Sequence, residues 1–224
     1  MKITDITAAT GFTYSDAPQG SPEWIAIRAP RVGASQLGDW MAVGVKGQPL
    51  KARADLEGEI AFAKAFNQPM SRYVNGAMQE GIDNEDFMAE QYATKFGVAV
   101  DTCGCFYNEH FVASPDRLVG TDGLLEIKWL QDNKFNEVVK TGEPLREHTL
   151  QMQGQMWSTG RQWCDYMVGN GNTGRYIVIR VKRDEEITAS IAESVPAVAD
   201  IAALNTKDVF AFTTQVPEQI TEWK

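Results

Sequence analysis

Cysteine is nearly absent from this sequence: Cys103, Cys105 and Cys164 are the three in a chain of 224 residues. An odd count containing one C-x-C pair argues against a disulfide framework and for a reducing, cytoplasmic setting. Long apolar runs are also missing. No stretch of eighteen consecutive apolar residues occurs, so no membrane-spanning helix is expected. The opening MKITDITAATGFTY has no apolar core after its lysine and does not read as a secretion signal. Positive charge is in deficit: 21 lysines and arginines face 30 aspartates and glutamates, a formal net charge of −9. Such a balance argues against a passive nucleic-acid coat, whose affinity rests on cations at phosphates. Internal repeats and low-complexity linkers are lacking too, and the length is that of one domain spanning 1–224.

What is present is unevenly spread. From Trp24 to Arg53 the bases are Arg28, Arg31, Lys46, Lys51 and Arg53, against the single acid Asp39. From Asp184 to Asp200 there are acids and no base. An acidic total weakens the idea of a coat more than that of a metal-dependent enzyme, whose ions need carboxylates. Ser21-Pro22-Glu23 predicts a helix start, with Ser21 as cap and Pro22 in the first turn. A second short helix is predicted near Ala34 or Ser35, another over Leu50 to Phe66, and a longer one ending at Gly97. Val98 to Leu130 reads as a strand meander, EHTLQMQGQMWSTG as a helix, WCDYMVGN and RYIVIRVKR as two strands, and the chain from Glu185 onward as mostly helical. Strands between helices predict an α/β or α+β core, a mixed central sheet flanked by helices.

The most informative stretch is SPDRLVGTDGLLEIKWL, Ser114 to Leu130. Alternation along a strand places Glu126 and Lys128 on one face and Leu125, Ile127 and Trp129 on the other. The apolar face is expected in the core and the charged face on the surface. The GTDG turn folds the chain back, so Asp116 can lie beside Glu126. Two carboxylates so placed suit a hard divalent cation. A neighbouring lysine can orient and help deprotonate a water, or steady charge on a phosphate. Taken alone, Glu-x-Lys on a strand would read as a surface ion pair worth little.

Pro115-Asp116, nine residues, then Glu126-Ile127-Lys128 resembles the PD-(D/E)xK nuclease motif. More narrowly, the chain resembles the phage λ-type exonucleases, or YqaJ-like viral recombinase nucleases. The likeness includes WIAIRAPRVGASQLG, EGIDNED and LQMQGQMWSTG, in the family's order over about residues 20 to 180. It implies a restriction-endonuclease-like core and a single nuclease domain. Asp116, Glu126 and the Ile127 carbonyl would be metal ligands, Glu85 would reach the ions in part through water, and Lys128 would position the attacking water. Arg28, Ser35, Ser114 and Gln153, with Gln151 as second choice, would grip a 5′ phosphate; an arginine fork and a hydroxyl near a helix start suit that anion. Trp24 shares the helical face of Arg28 and either stacks on a base or joins the core, the core being preferred.

The implied activity is Mg²⁺-dependent 5′→3′ digestion of one strand of linear duplex DNA to mononucleotides, with two ions and with Mn²⁺ as substitute. It leaves 3′ overhangs for a single-strand annealing protein in phage-type recombination. The implied setting is a homotrimeric ring on 5′-phosphorylated ends, in the cytoplasm of a bacterial cell carrying a phage or prophage. A related branch holds an iron–sulfur cluster on four cysteines; three cannot supply that set, so no cluster is expected. Two departures stand out. Arg117 occupies a position where the family usually has glycine; it is costly there if φ is positive, and could otherwise touch DNA. His148 stands where a tyrosine is common. Alternatives are a PD-(D/E)xK endonuclease, which has no use for a 5′-end clamp, and a non-catalytic DNA-binding recombination module.

Overall fold

The computed structural model describes residues 3–66 and 76–199, with side chains described for 3–66 and 84–199. The chain opens with α1 (Ile3–Thr10) and β1 (Thr13–Ser15). It continues through α2 (Pro22–Arg28), β2 (Val32–Gly33), a 3-10 turn over Ala34–Gln36, α3 (Leu37–Trp40), α4 (Lys51–Phe66) and α5 (Gly76–Phe96). Five strands follow: β3 (Val100–Asp101), β4 (Cys105–Tyr107), β5 (Phe111–Ala113), β6 (Arg117–Val119) and β7 (Gly123–Leu130). The last elements are α6 (Asp132–Thr141), α7 (Arg146–Thr159), β8 (Trp163–Asn170), β9 (Tyr176–Lys182) and α8 (Glu185–Ser194).

The punctuation read from the sequence explains several boundaries. Ser21 caps α2, its hydroxyl accepting the Trp24 N–H at 3.2 Å. Gly97 follows α5 at φ 63°, the left-handed conformation that glycine adopts without steric cost. The short helix near Ser35 exists, but Gly33 is its cap and Ser35 lies inside the 3-10 turn. The sequence reading assigns no element to 3–15 or 131–144, where α1, β1 and α6 lie. The segment 3–15 is short, whereas α6 does carry a helical signal, Phe135, Val138 and Val139 at i, i+3 and i+4, which the sequence reading passed over. The helical stretch expected beyond α8 extends past 199, outside the described residues.

The meander expected from Val98 to Leu130 divides between two sheets. One runs β1-β4-β5-β2 and the other β3-β6-β7-β8-β9. In the second, β7 and β8 are parallel from Gly123↔Trp163 to Leu130↔Asn170. Parallel neighbours need a crossover, here supplied by α6 and α7. Helix α7 is buried on most sides, contributing Met152 and Met156 to one core cluster while Leu150 and Trp157 pack against another.

Both faces of β7 are covered. Leu125 and Ile127 pack with Met88, Ala89 and Tyr92 of α5. Leu124 and Leu130 pack with Phe135, Met152 and Met156 of α6 and α7. This corrects one expectation: the face carrying Glu126 is not a surface, and Glu126 itself is 0% exposed. β7 is a central strand of a mixed sheet with helices packed on both faces, so alternation along it separates two cores rather than core from water.

Gly154 marks the tight approach of α7 to α3 and β5. A Cβ there would stand 2.5 Å from Leu37 Cδ1 and 3.0 Å from Phe111 Cζ, both side chains fully buried. Overpacking of this kind costs about 1–3 kcal/mol, more than the ~1 kcal/mol that alanine gains over glycine in a helix. We expect Gly154→Ala to lower the urea midpoint. Gly58→Ala on α4, where a Cβ meets nothing within 4 Å, should raise it.

Candidate active site

The hairpin register brings the two acids together. Arg117 pairs with Leu125, so Asp116, one residue outside β6, faces the Glu126 level of β7. Asp116 Oδ2 accepts the Ile127 N–H at 2.6 Å. The turn behind them is pinned by Arg161, whose Nη1 donates to the carbonyls of Val119 and Gly120 at 3.1 Å and of Gly123 at 2.5 Å.

Glu126 is held from three directions. Gln151 Nε2 donates to Oε1 and Gln155 Nε2 to Oε2, each at 2.6 Å, and Lys128 Nζ lies 2.5 Å from Oε1. Gln151 and Gln155 are four apart on α7, hence on one face. His148 shares that face, and its Nδ1 lies 2.5 Å from the Tyr166 hydroxyl on β8. Burial, then the positive charge of Lys128, lowers the His148 pKa to about 4. Burial, then Glu126, pushes the Asp116 carboxyl well above the usual carboxylate range, an effect that Glu85 reinforces and Lys128 opposes. For Lys128, burial lowers the pKa, but Glu126 and Asp116 outweigh it and hold the ammonium above its ordinary value. Lys128 is therefore a charged donor, suited to orienting a water or a phosphate oxygen rather than to accepting a proton.

Glu85 reaches this centre from α5, and Arg117 ties it down. Arg117 is 6% exposed; its Nη1 donates to Glu85 Oε1 at 2.6 Å and to the Asp116 carbonyl at 2.5 Å, and its Nη2 to Asp86. Arg117 begins strand β6, so its backbone is extended. It is not a DNA-facing side chain but an internal counter-ion, which corrects that alternative.

The other expected residues gather beside the carboxylates. Arg28 Nη2 donates to Ser35 Oγ at 2.8 Å, Trp24 Nε1 donates to Ser114 Oγ at 2.8 Å, and the Arg28 guanidinium lies 5.1 Å from the Trp24 ring centroid. Gly33 makes room for it: a Cβ there would meet the Arg28 guanidinium at 2.8–2.9 Å. Trp24 is half-buried and absent from the core clusters, against the preference for a core role. Two other bases of the same stretch are occupied, Lys51 by Asp55 and Arg53 by Glu57.

Gln153 is the one expected site residue that the structure places elsewhere. Its Nε2 donates to the Lys182 carbonyl and its Oε1 accepts the Asp184 N–H, both at 2.9 Å, so it fastens α7 to the β9–α8 junction. Gln155, Tyr166 and Arg161 are site-supporting residues that sequence reasoning did not single out. The i, i+4 spacing of Gln151 and Gln155 was the available signal.

No group of three or more His, Cys, Asp or Glu side chains close enough to hold a metal ion occurs among the described residues. The local donors are nevertheless of one chemical kind: the carboxylates of Asp116, Glu126 and Glu85 and the Ile127 carbonyl. All are hard oxygens, and the Asp116 carboxyl is raised first by burial and then by Glu126, with Lys128 opposing. A hard divalent cation fits that set.

Comparison with known proteins decides the family. A model described as the YqaJ-like viral recombinase domain matches residues 23–162. The chain belongs to this family. It is similar to LHK-Exo, an alkaline exonuclease from Laribacter hongkongensis, at 30% identity and TM-score 0.75, over 88% of this chain and 100% of that one. A second structure of that exonuclease, in complex with dAMP, matches at TM-score 0.76 with the same identity and coverage. A phage-related exonuclease from Haemophilus somnus 129PT shares the fold at 16% identity and TM-score 0.64, over 80% of this chain and 96% of that one. No curated protein sequence matches. No helix among the described residues is long and apolar enough to cross a membrane.

Because the fold raises the Asp116 pKa, this group stabilises the fold fully below the ordinary carboxylate value, and that contribution is lost as pH rises through the raised value. Near neutral pH, where the unfolded chain has this carboxyl ionised, burying the group therefore costs the metal-free fold stability. We expect Asp116→Asn to stabilise it by about 0.5–2 kcal/mol in chemical denaturation, with the gain shrinking as the pH is lowered. His148 has the opposite sign. Its depressed pKa of about 4 gives a contribution present above pH ~6.5 and lost as pH falls toward 4. His148→Gln should flatten that part of the stability profile.

Proposed function

We propose that the protein is a Mg²⁺-dependent 5′→3′ exonuclease that digests one strand of linear duplex DNA to mononucleotides and leaves 3′ overhangs. The observation that carries this is the adjacency of two halves. Asp116, Glu126 and Lys128 form a charged centre, and Ser114, two residues before Asp116, bonds the Trp24 indole beside Arg28 and Ser35. A terminal phosphate held by Arg28 would place the next phosphodiester at a set distance from the carboxylates. An enzyme cutting within duplex DNA has no use for such a clamp.

Asp116, Glu126, the Ile127 carbonyl and Glu85 would hold Mg²⁺, with Mn²⁺ as substitute. Bound there, such ions supply Lewis-acid stabilisation of the phosphate and a water of lowered pKa. Lys128 orients that water by donation and offsets charge on the phosphate. Gln151 and Gln155 fix the Glu126 carboxylate, and Arg117 keeps Glu85 within reach. Arg28 offers a planar fork to the 5′ phosphate, and Ser35 and Ser114 add hydroxyls. The dAMP complex of the alkaline exonuclease supports a nucleoside monophosphate as product.

Family membership supports a role in phage-type recombination, with the 3′ overhang passed to a single-strand annealing protein in the bacterial cytoplasm. A homotrimeric ring around the duplex would reconcile a net charge of −9 with DNA binding, because an acidic exterior and a basic channel can coexist.

The test is a linear duplex labelled on each strand, 5′-phosphorylated or 5′-hydroxyl, with Mg²⁺ or EDTA, beside a closed circle. Mononucleotides should leave the 5′ ends only, faster with phosphate, and the circle should survive. Glu126→Ala should lower kcat by at least about 10²–10³-fold. Arg28→Ala should reduce the preference for 5′-phosphate by about 10–100-fold, the worth of a charge-assisted hydrogen bond. Cutting of the circle would overturn the clamp assignment, and no cutting with either metal would overturn the enzyme assignment.

A further inference from the structure

We propose that Gln155 is a positioning residue of the catalytic centre, setting the Glu126 carboxylate in register with the 5′-end clamp. This rests on the exonuclease reading above. Gln155 is 0% exposed. Its Nε2 donates to Glu126 Oε2 at 2.6 Å and reaches the Ser114 carbonyl at 3.5 Å, the outer limit of a hydrogen bond. One amide group therefore spans the two halves of the site: the carboxylate that would hold the ion, and the residue whose hydroxyl accepts from Trp24.

Two further observations separate positioning from packing. Met152 and Met156 flank Gln155 on α7 and are both fully buried, so an apolar side chain is readily accommodated in this layer. Gln155 instead keeps its Oε1 buried without a hydrogen-bond partner. A buried acceptor left unpaired opposes folding. An apolar packing residue would not carry that atom; a residue whose amide must donate to the Glu126 carboxylate does. The Gln155 backbone is locked as well, its carbonyl accepting the Ser158 hydroxyl at 3.0 Å and the Thr159 hydroxyl at 2.7 Å. The donor amide thus starts from a fixed helix position, and partners of metal ligands placed in this way govern ligand orientation.

The test uses the full chain, with Gln155→Leu and Gln155→Met beside wild type and Glu126→Ala. Mn²⁺ affinity is measured by calorimetry without DNA, kcat and KM on 5′-phosphorylated linear duplex, and Tm without metal. In both variants Mn²⁺ affinity and kcat should each fall about 10–100-fold, with KM for the DNA little changed. Tm should fall modestly, because buried Glu126 loses a donor and removal of the unpaired acceptor offsets only part of that loss, so affinity and kcat are measured well below each Tm. If Mn²⁺ affinity and kcat match wild type, or if activity falls only in step with Tm, Gln155 is a packing residue and the proposal fails. Should one variant not fold, the other decides. If wild type neither binds Mn²⁺ nor cleaves, the exonuclease reading falls and takes this inference with it. If wild type does both while Glu126→Ala does neither, only the behaviour of the Gln155 variants is in question.

Discussion

A carboxylate with no exposure to water sits in the middle of β7, and much of the surrounding architecture follows from the need to satisfy it. Burying Glu126 without partners would cost several kcal/mol. Three donors meet it: Lys128 from its own strand, and Gln151 and Gln155 from α7. The helix can deliver those amides only if it crosses back over the sheet between two parallel strands, and α6–α7 between β7 and β8 is that crossover. Gly154 lets α7 lie close against Leu37 and Phe111. Arg161 holds the β6–β7 turn that brings Asp116 opposite. Remove the buried acid and these features lose their common purpose.

The reverse face of the same sheet shows a different solution to the same problem. Asp165 is 2% exposed. Arg180 meets both of its oxygens, at 2.7 and 2.8 Å, and the Tyr92 hydroxyl donates at 2.6 Å. The guanidinium also stacks over Trp163 at 3.7 Å. Charge there is matched one to one, and burial followed by the Asp165 hydrogen bond pushes the Tyr92 phenol far above its usual value. That network is a finished structural contact. On the other face two carboxyls, Asp116 and Glu126, share the single ammonium of Lys128, an arrangement that stability alone would not favour. The contrast across one sheet sets the candidate site apart from a structural network.

Two residues that depart from the family pattern find physical roles. Arg117 is buried between Glu85, Asp86 and the Asp116 carbonyl, and so joins α5 to the hairpin that carries the acids. His148 meets Tyr166 rather than solvent and extends the Gln151–Gln155 face by one turn. Neither role could be read from one sequence, because each depends on which strand or helix lies opposite.

Local chemistry determined a good deal by itself. The Ser21-Pro22 start, the Gly97 stop and the Asp116–Glu126 pairing across a glycine turn all follow from spacing over short distances, and the structure has each of them. What lay beyond reach was set by partners remote in sequence. The division of the Val98–Leu130 strands between two sheets depends on β1, β2, β8 and β9. The burial of Glu126 depends on α7. The choice among three glutamines at alternate positions depends on how that helix is rotated, and a helix buried on most sides has no polar stripe to reveal it. Periodicity shows which residues share a face; only packing decides what that face meets.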